Sequence, residues 1–160
     1  RQYIKTALLL LMKEQPFEKI TTTSIIARAG VSRAGFYRNY ISKEEVLKEL
    51  SIGLHHEIAS YFKAATYLDN PKPQYIELFK NIKENEEMLQ LIRHILLTNY
   101  RQVDEASYIK EYYQPKSNEE YYYHIAVAYA RKGILMEWVN NGMKESPEEM
   151  ADMLINFLHH

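Results

Sequence analysis

Residues 20–47 read ITTTSIIARAGVSRAGFYRNYISKEEVL, and position by position they describe a helix, a tight turn, a second helix and the start of a third. Thr21 is a good N-cap, Ile25 and Ala29 fall one turn apart on one face, and Gly30 stands just past the last apolar position, where a left-handed residue is wanted. The first helix is therefore expected over 22–29. Val31 supplies an apolar plug in the turn, Ser32 can cap a new helix, and Phe36 and Tyr40 lie i, i+4 on the face that must pack inward. The outer face keeps Arg33, Tyr37, Arg38 and Asn39, whose cations, phenol and amide suit phosphates and base edges. Two such helices across a glycine-containing turn make a helix-turn-helix, with the second as the reading helix.

The quoted stretch ends on Ser42-Lys43-Glu44-Glu45, the signature of a capping box: Ser42 can accept from the Glu45 N–H while Glu45 reaches back. Ile41 and Val46 stand at the staple positions around it. From there Val46, Leu47, Leu50, Leu54, Ile58 and Tyr61 keep helical period to about residue 65, which predicts one long helix. On the other side, Ile4, Leu8 and Leu11 form one stripe over residues 2–13. Phe17 and Ile20 return apolar weight to a small three-helix core.

Beyond the long helix the chain stays helical. Glycine and proline are scarce and alternating β-branched runs are missing, so the fold class is all-α. Residues 69–73, DNPKP, are a loop, and Tyr75, Ile76, Phe79 and Ile82 mark the helix after it. The acidic run 84–87 suits a turn and the N-terminal end of the next helix. A short helix is expected within 101–117 and a long one over 118–141, closed by Gly142. Ser146-Pro147-Glu148-Glu149 then opens the last helix with a capping box and proline at N1.

Composition narrows the function. The 160 residues, 46% apolar, can bury a full core without a disulfide or a structural metal. Cysteine is absent, which removes thiolate zinc sites and cysteine nucleophiles and fits a cytoplasmic protein. No apolar run approaches the roughly 20 residues of a membrane span. The chain opens at Arg1 and not at Met, which leaves room for residues ahead of the first helix. Residues 1–50 carry nine Lys and Arg against five Asp and Glu, whereas 51–160 carry eleven against sixteen. The basic part is the part with the helix-turn-helix, as phosphate binding requires. No Gly-rich phosphate loop, G-x-S-x-G elbow or H-E-x-x-H is present, so no enzyme and no cofactor are expected. His55-His56-Glu57 and His124 lack ligand spacing, and no metal is expected.

The pattern from Ile20 through Leu50, with its Ile-Thr opening, Ala-Gly-Val-Ser turn, Phe-Tyr pair and Ser-Lys-Glu-Glu start, resembles the N-terminal domain of the TetR family of bacterial transcriptional regulators. The segment WVNNGMKESPEEM, residues 138–150, is similar to the C-terminal ends of many such proteins. The resemblance implies a DNA-binding domain over 1–46 joined by the long helix to a regulatory domain over 47–160, for ligand binding and dimerisation. It implies a homodimer on palindromic operator DNA, released when a small molecule moves the long helix. Carried over, Thr21, Thr23, Tyr37, Asn39 and Lys43 would touch the DNA backbone, Arg33, Ala34, Gly35 and Arg38 would face base edges, and Ser32 is counted among the DNA-binding candidates. Relatives often carry a cation or longer polar residue where Thr23 stands and a histidine where Asn39 stands. Gly35 costs about 1 kcal/mol relative to alanine inside a helix.

Fourteen tyrosines, seven of them between Tyr100 and Tyr123, admit two readings. They can wall a chamber for an aromatic or apolar effector, or they can pack at helix contacts with their hydroxyls in water. The chamber reading names Tyr61, Tyr75, Phe79, His94, Tyr100, Tyr123 and Tyr129. Trp138, Val139, Met150, Leu154 and Phe157 are assigned to the dimer interface, because the last apolar stripe is wide and no chain remains to cover it. The alternative function is a small-molecule-binding helical dimer without operator specificity.

Overall fold

The computed structural model describes residues 1–98 and 105–158. Among them the fold is all-helical: α1 (Gln2–Glu14), a 3-10 turn (Phe17–Lys19), α2 (Thr22–Ala29), α3 (Arg33–Tyr37), α4 (Lys43–Thr66), α5 (Lys72–Glu84), α6 (Glu86–Thr98), α7 (Glu105–Tyr112), α8 (Asn118–Asn140) and α9 (Pro147–Leu158). The chain divides into two compact units, Arg1–Leu54 and His55 onward, the division falling inside α4.

The first unit is a three-helix bundle plus the start of α4. The apolar stripe of α1 buries Ile4, Leu8 and Leu11, and Ile20, Ile25, Phe36, Tyr40, Val46 and Leu47 complete the core, all nearly free of solvent. Each local stop and start follows the sequence. Thr21 Oγ1 accepts from the Ser24 N–H at 3.1 Å while Ser24 Oγ accepts from the Thr21 N–H at 3.1 Å, a full capping box. Gly30 ends α2 at φ 63°, a left-handed conformation that side chains with a Cβ rarely adopt.

The Ser42 box differs from its expected form. Ser42 Oγ accepts from the Glu45 N–H at 3.3 Å, but the Glu45 carboxylate returns to the N–H of Ile41, at 2.7 Å, one residue early. The staple fails with it: Val46 is buried, whereas Ile41 is 80% exposed. Holding the Ile41 amide against the carboxylate turns its side chain away from the helix it was expected to clamp.

The second unit is built around α5. Tyr75, Leu78, Phe79 and Ile82 are wholly buried on one face, and they meet α8 and α9 through Trp138, Met150, Ala151 and Leu154. Phe79 and Trp138 pack edge to face with ring centroids 5.0 Å apart. Two exposed ion pairs, Lys72 to Asp152 at 2.6 Å and Lys80 to Glu148 at 3.5 Å, join α5 to α9. The turn between α8 and α9 closes on itself. Met143 N–H donates to Trp138 O at 2.8 Å and Gly142 N–H to Val139 O at 3.1 Å, with Gly142 left-handed at φ 80°, a Schellman arrangement. The Trp138 indole N–H donates to Glu145 O at 3.1 Å, fixing the loop from the core side.

At the start of α9 the Ser146 box is complete: Glu149 N–H donates to Ser146 Oγ at 3.2 Å and Ser146 N–H to the Glu149 carboxylate at 2.7 Å. The Ser146 backbone bond, then the Ser146 hydroxyl, holds the Glu149 carboxyl below the usual carboxylate range. A carboxyl lowered on folding stabilises above its unfolded pKa and stops doing so as pH falls through the folded value. Ser146→Ala is expected to cost about 1 kcal/mol in urea unfolding at neutral pH. Glu149→Gln should flatten the acid side of the stability profile, measured as melting temperature against pH below about pH 5.

Candidate nucleic-acid interface

The reading face is assembled by locking one side of α3 and leaving the other in solvent. Ser32 caps the helix, its Oγ accepting from the Gly35 N–H at 2.9 Å. A Cβ on residue 35 would stand 3.1 Å from that oxygen, so the glycine leaves the cap its room. Phe36 and Tyr40 are sealed beneath, and Tyr37 packs edge to face on Phe36 with centroids 5.4 Å apart. Arg33, Ala34, Tyr37 and Arg38 remain exposed on the outside. The helix is short, and the following residues continue as turns: Arg38 N–H donates to Ala34 O at 3.0 Å and Tyr40 N–H to Phe36 O at 3.0 Å.

An ionic network holds the far end of this segment. The Tyr40 hydroxyl donates to Glu49 at 2.9 Å, and Glu49 also pairs with Lys5 at 3.2 Å and Arg1 at 3.5 Å. Burial, reinforced by the Glu49 charge, pushes the Tyr40 phenol up to about 12, so it stays a donor. For Glu49, burial opposes ionisation, but the Tyr40 and Lys5 bonds and the Arg1 charge outweigh it and hold the carboxyl below its usual range. Arg1 also lies over the Tyr40 ring, 5.1 Å from its centroid. Behind α2, Arg28 makes a two-point bond to Glu14, 2.9 Å to each oxygen, which spends that cation inside the head.

The structure sorts the expected DNA contacts. Arg33, Ala34, Tyr37, Arg38 and Thr23 are brought to the surface, while Gly35 is half-covered. Thr21 and Ser32 are exposed, but their hydroxyls are engaged as caps. Asn39 is half-buried and its amide donates to Gly35 O at 2.7 Å, which leaves it a support for the helix end. Lys43 is the candidate most engaged within the unit. Its ammonium donates to the carbonyls of Phe17, Ile20 and Glu18 at 2.8, 2.7 and 3.3 Å and sits 4.5 Å from the Phe17 ring centroid. Those three bonds use its three protons, so Lys43 ties the 3-10 turn to α4 and leaves no hydrogen for a phosphate. No sequence signal pointed there, because the carbonyls lie more than twenty residues away. Lys43→Met is expected to lower the stability of this unit by about 1–3 kcal/mol in urea. It should leave the salt dependence of DNA binding unchanged, where loss of a phosphate contact would reduce the slope by about one.

In the second unit the chamber candidates separate. Tyr75 and Phe79 are fully buried, Tyr61 and His94 partly so. The Asn81 amide donates to the Tyr61 hydroxyl at 3.3 Å. Tyr123 and Tyr129 are more than half exposed on α8, and Tyr100 lies outside the described residues. At the α7–α8 turn, Tyr121 and Tyr122 line an open cleft of ≈ 520 Å³ with Lys110, Gln114 and Lys116 among others. The interface assignment is corrected as well. Trp138, Val139, Met150 and Leu154 are buried inside the chain, because α5 covers the stripe that was expected to be bare. Of the five, Phe157 alone is exposed, at 66%. Among the described residues no group of histidine and acidic side chains could hold a metal, and no helix is long and apolar enough to cross a membrane.

Residues 5–50 match the family model of bacterial regulatory proteins of the tetR family, and residues 69–160 match that of a transcriptional regulator C-terminal region of the same family. No curated protein matches the chain. Among solved structures, it is similar to a TetR-family transcriptional regulator from Syntrophomonas wolfei str. Goettingen, at 20% identity and a TM-score of 0.65, over 99% of this chain and 92% of that one. It is also similar to a TetR transcriptional regulator from Streptococcus agalactiae 2603V, at 19% identity and a TM-score of 0.59, over 98% and 91%.

Proposed function

The chain belongs to the TetR family of bacterial transcriptional regulators, and from that premise we propose that it is a cytoplasmic repressor that binds a palindromic operator as a homodimer and is released by a small molecule. The observation that carries this reading is the segment from α3 to Tyr40: Phe36 and Tyr40 are buried on one side while Arg33, Tyr37 and Arg38 are exposed on the other. In dimeric helix-turn-helix proteins two such helices enter successive major grooves about 34–36 Å apart, so a small change in their spacing loses one of them. In this reading residues 1–46 bind DNA and residues 47–160 sense the effector, with α4 shared between the two compact units.

Dimerisation is supported by apolar surface on the last two helices. Met153 and Phe157 lie i, i+4 on the solvent side of α9. On α8 the exposed positions Tyr122, Ala126, Tyr129 and Gly133 follow one stripe, with small residues between the aromatic ones. These replace the buried Trp138, Val139, Met150 and Leu154 as the proposed contact surface.

The test is binding of the purified protein to its own upstream DNA and to a random duplex, by fluorescence anisotropy across salt. An operator complex should favour the upstream fragment and weaken as salt rises, with a slope of about −0.9 per phosphate neutralised. Equal affinity for both duplexes would leave only the alternative, a ligand-binding helical dimer without operator specificity.

A further inference from the structure

Arg131, midway along α8, has no counter-ion among the described residues. Its side chain reaches Phe62 on α4, with the guanidinium carbon 4.9 Å from the ring centroid, and Tyr75 on α5, whose hydroxyl accepts from Nη2 at 3.4 Å. That bond is at the outer limit of useful length. The Nε–H is sealed from water and has no acceptor. Among the described residues no carboxylate lies within ion-pair distance of it, although Lys72 and Lys80 in the same unit both find one. Among the described residues Nη1 makes no hydrogen bond.

A guanidinium stays charged in any protein environment, and its flat fork is shaped for two parallel bonds to an oxyanion. Here the guanidinium lies over the Phe62 ring and reaches only the hydroxyl of the fully buried Tyr75, the two ring centroids being 5.9 Å apart. A ring face supports a cation but satisfies none of its N–H groups. A neutral apolar ligand seated here would strip the remaining water from the charge and return nothing for it. An anionic head reaching the guanidinium would supply the missing charge, and the apolar side chains around it suit an apolar body.

Building on the effector-sensing role proposed for this unit, we propose that Arg131 reads the effector's charge, and that the effector carries an oxyanion, carboxylate or phosphate, on an apolar body. This narrows the aromatic or apolar effector expected from the tyrosine content to an amphipathic anion.

The experiment is calorimetric titration of the full chain, dialysed free of co-purified ligand, with octanoate, benzoate and octyl phosphate, each paired with a neutral counterpart: octanamide, benzamide and octanol. At least one anion should bind wild type about tenfold or more tighter than its neutral partner, the size of a charge-assisted bond. Octanoate against octyl phosphate separates a carboxylate effector from a phosphate one. Arg131→Met should erase the anion preference and leave the neutral partner's affinity unchanged, while Arg131→Lys, which keeps a point charge but not the fork, should retain part of it. Without probe, Arg131→Met should melt no lower than wild type, since it removes a buried unpaired donor. Equal affinity of anion and neutral partner in wild type, a preference surviving in Arg131→Met, a lowered melting point in that variant, or no binding of any probe would each overturn the proposal. DNA binding by the same preparations, measured without probe, reports separately on the regulator reading.

Discussion

Arg38→Ala is expected to weaken binding to the upstream operator about tenfold to a hundredfold while leaving the fold intact. The side chain is exposed at the end of α3, beyond the bonds that fix Tyr40 and Asn39, so its removal uncovers nothing in the core. A guanidinium bonded to a base edge is worth about 1–3 kcal/mol of discrimination against the wrong base. The two roles open to it leave different marks. If Arg38 reads a base, specificity relaxes at one operator position and the salt slope is kept; if it holds a phosphate, all sequences weaken alike and the slope falls by about one. Anisotropy titrations with operator and random duplex at several salt concentrations separate these, and unchanged affinity for both duplexes would remove Arg38 from the interface.

Phe36→Ala should have the larger effect on stability, about 3–5 kcal/mol. The ring is wholly buried, two residues before Arg38, with Tyr37 and Tyr40 packed against it. A unit of this size rarely gains more than about 3–5 kcal/mol from its single core, so the loss is comparable with everything holding the head together. DNA binding should disappear, and amide exchange should show residues 1–54 unprotected while the core of the second unit, around Phe79 and Trp138, stays protected. Tyr37→Ala, one residue away, serves as the contrast. Its side chain is half exposed, so stability should change by roughly 0.5 kcal/mol or less, as for surface positions, while operator affinity falls. If both substitutions unfold the head, the division of α3 into a packed side and a reading side is wrong.

The helix-turn-helix was legible because its signals are local. Thr21, Gly30, Ser32, Ser42 and Ser146 each act on backbone groups within three or four residues, and periodicity alone placed Phe36 and Tyr40 inside. The reading failed where distance along the chain mattered. Lys43 looked like a phosphate cation at a helix N-terminus, yet its protons go to carbonyls of residues 17, 18 and 20. Trp138, Met150 and Leu154 looked like a dimer surface because the chain after them is short. The helix that covers them, α5, comes about sixty to eighty residues earlier.

By itself, then, the sequence determined that the described chain is helical, where its capped helices begin and which face of them is apolar, since capping and periodicity are settled within a turn or two of chain. Only the tertiary structure decided what each apolar face meets and which charges are already spent. Arg28 on Glu14, Lys43 on three carbonyls and Arg131 over Phe62, with no acid beside it among the described residues, are outcomes of packing between distant segments. A buried stripe states that something must cover it, and a cation that something must balance it; neither names the partner, because hydrophobic burial and charge are not directional along the sequence.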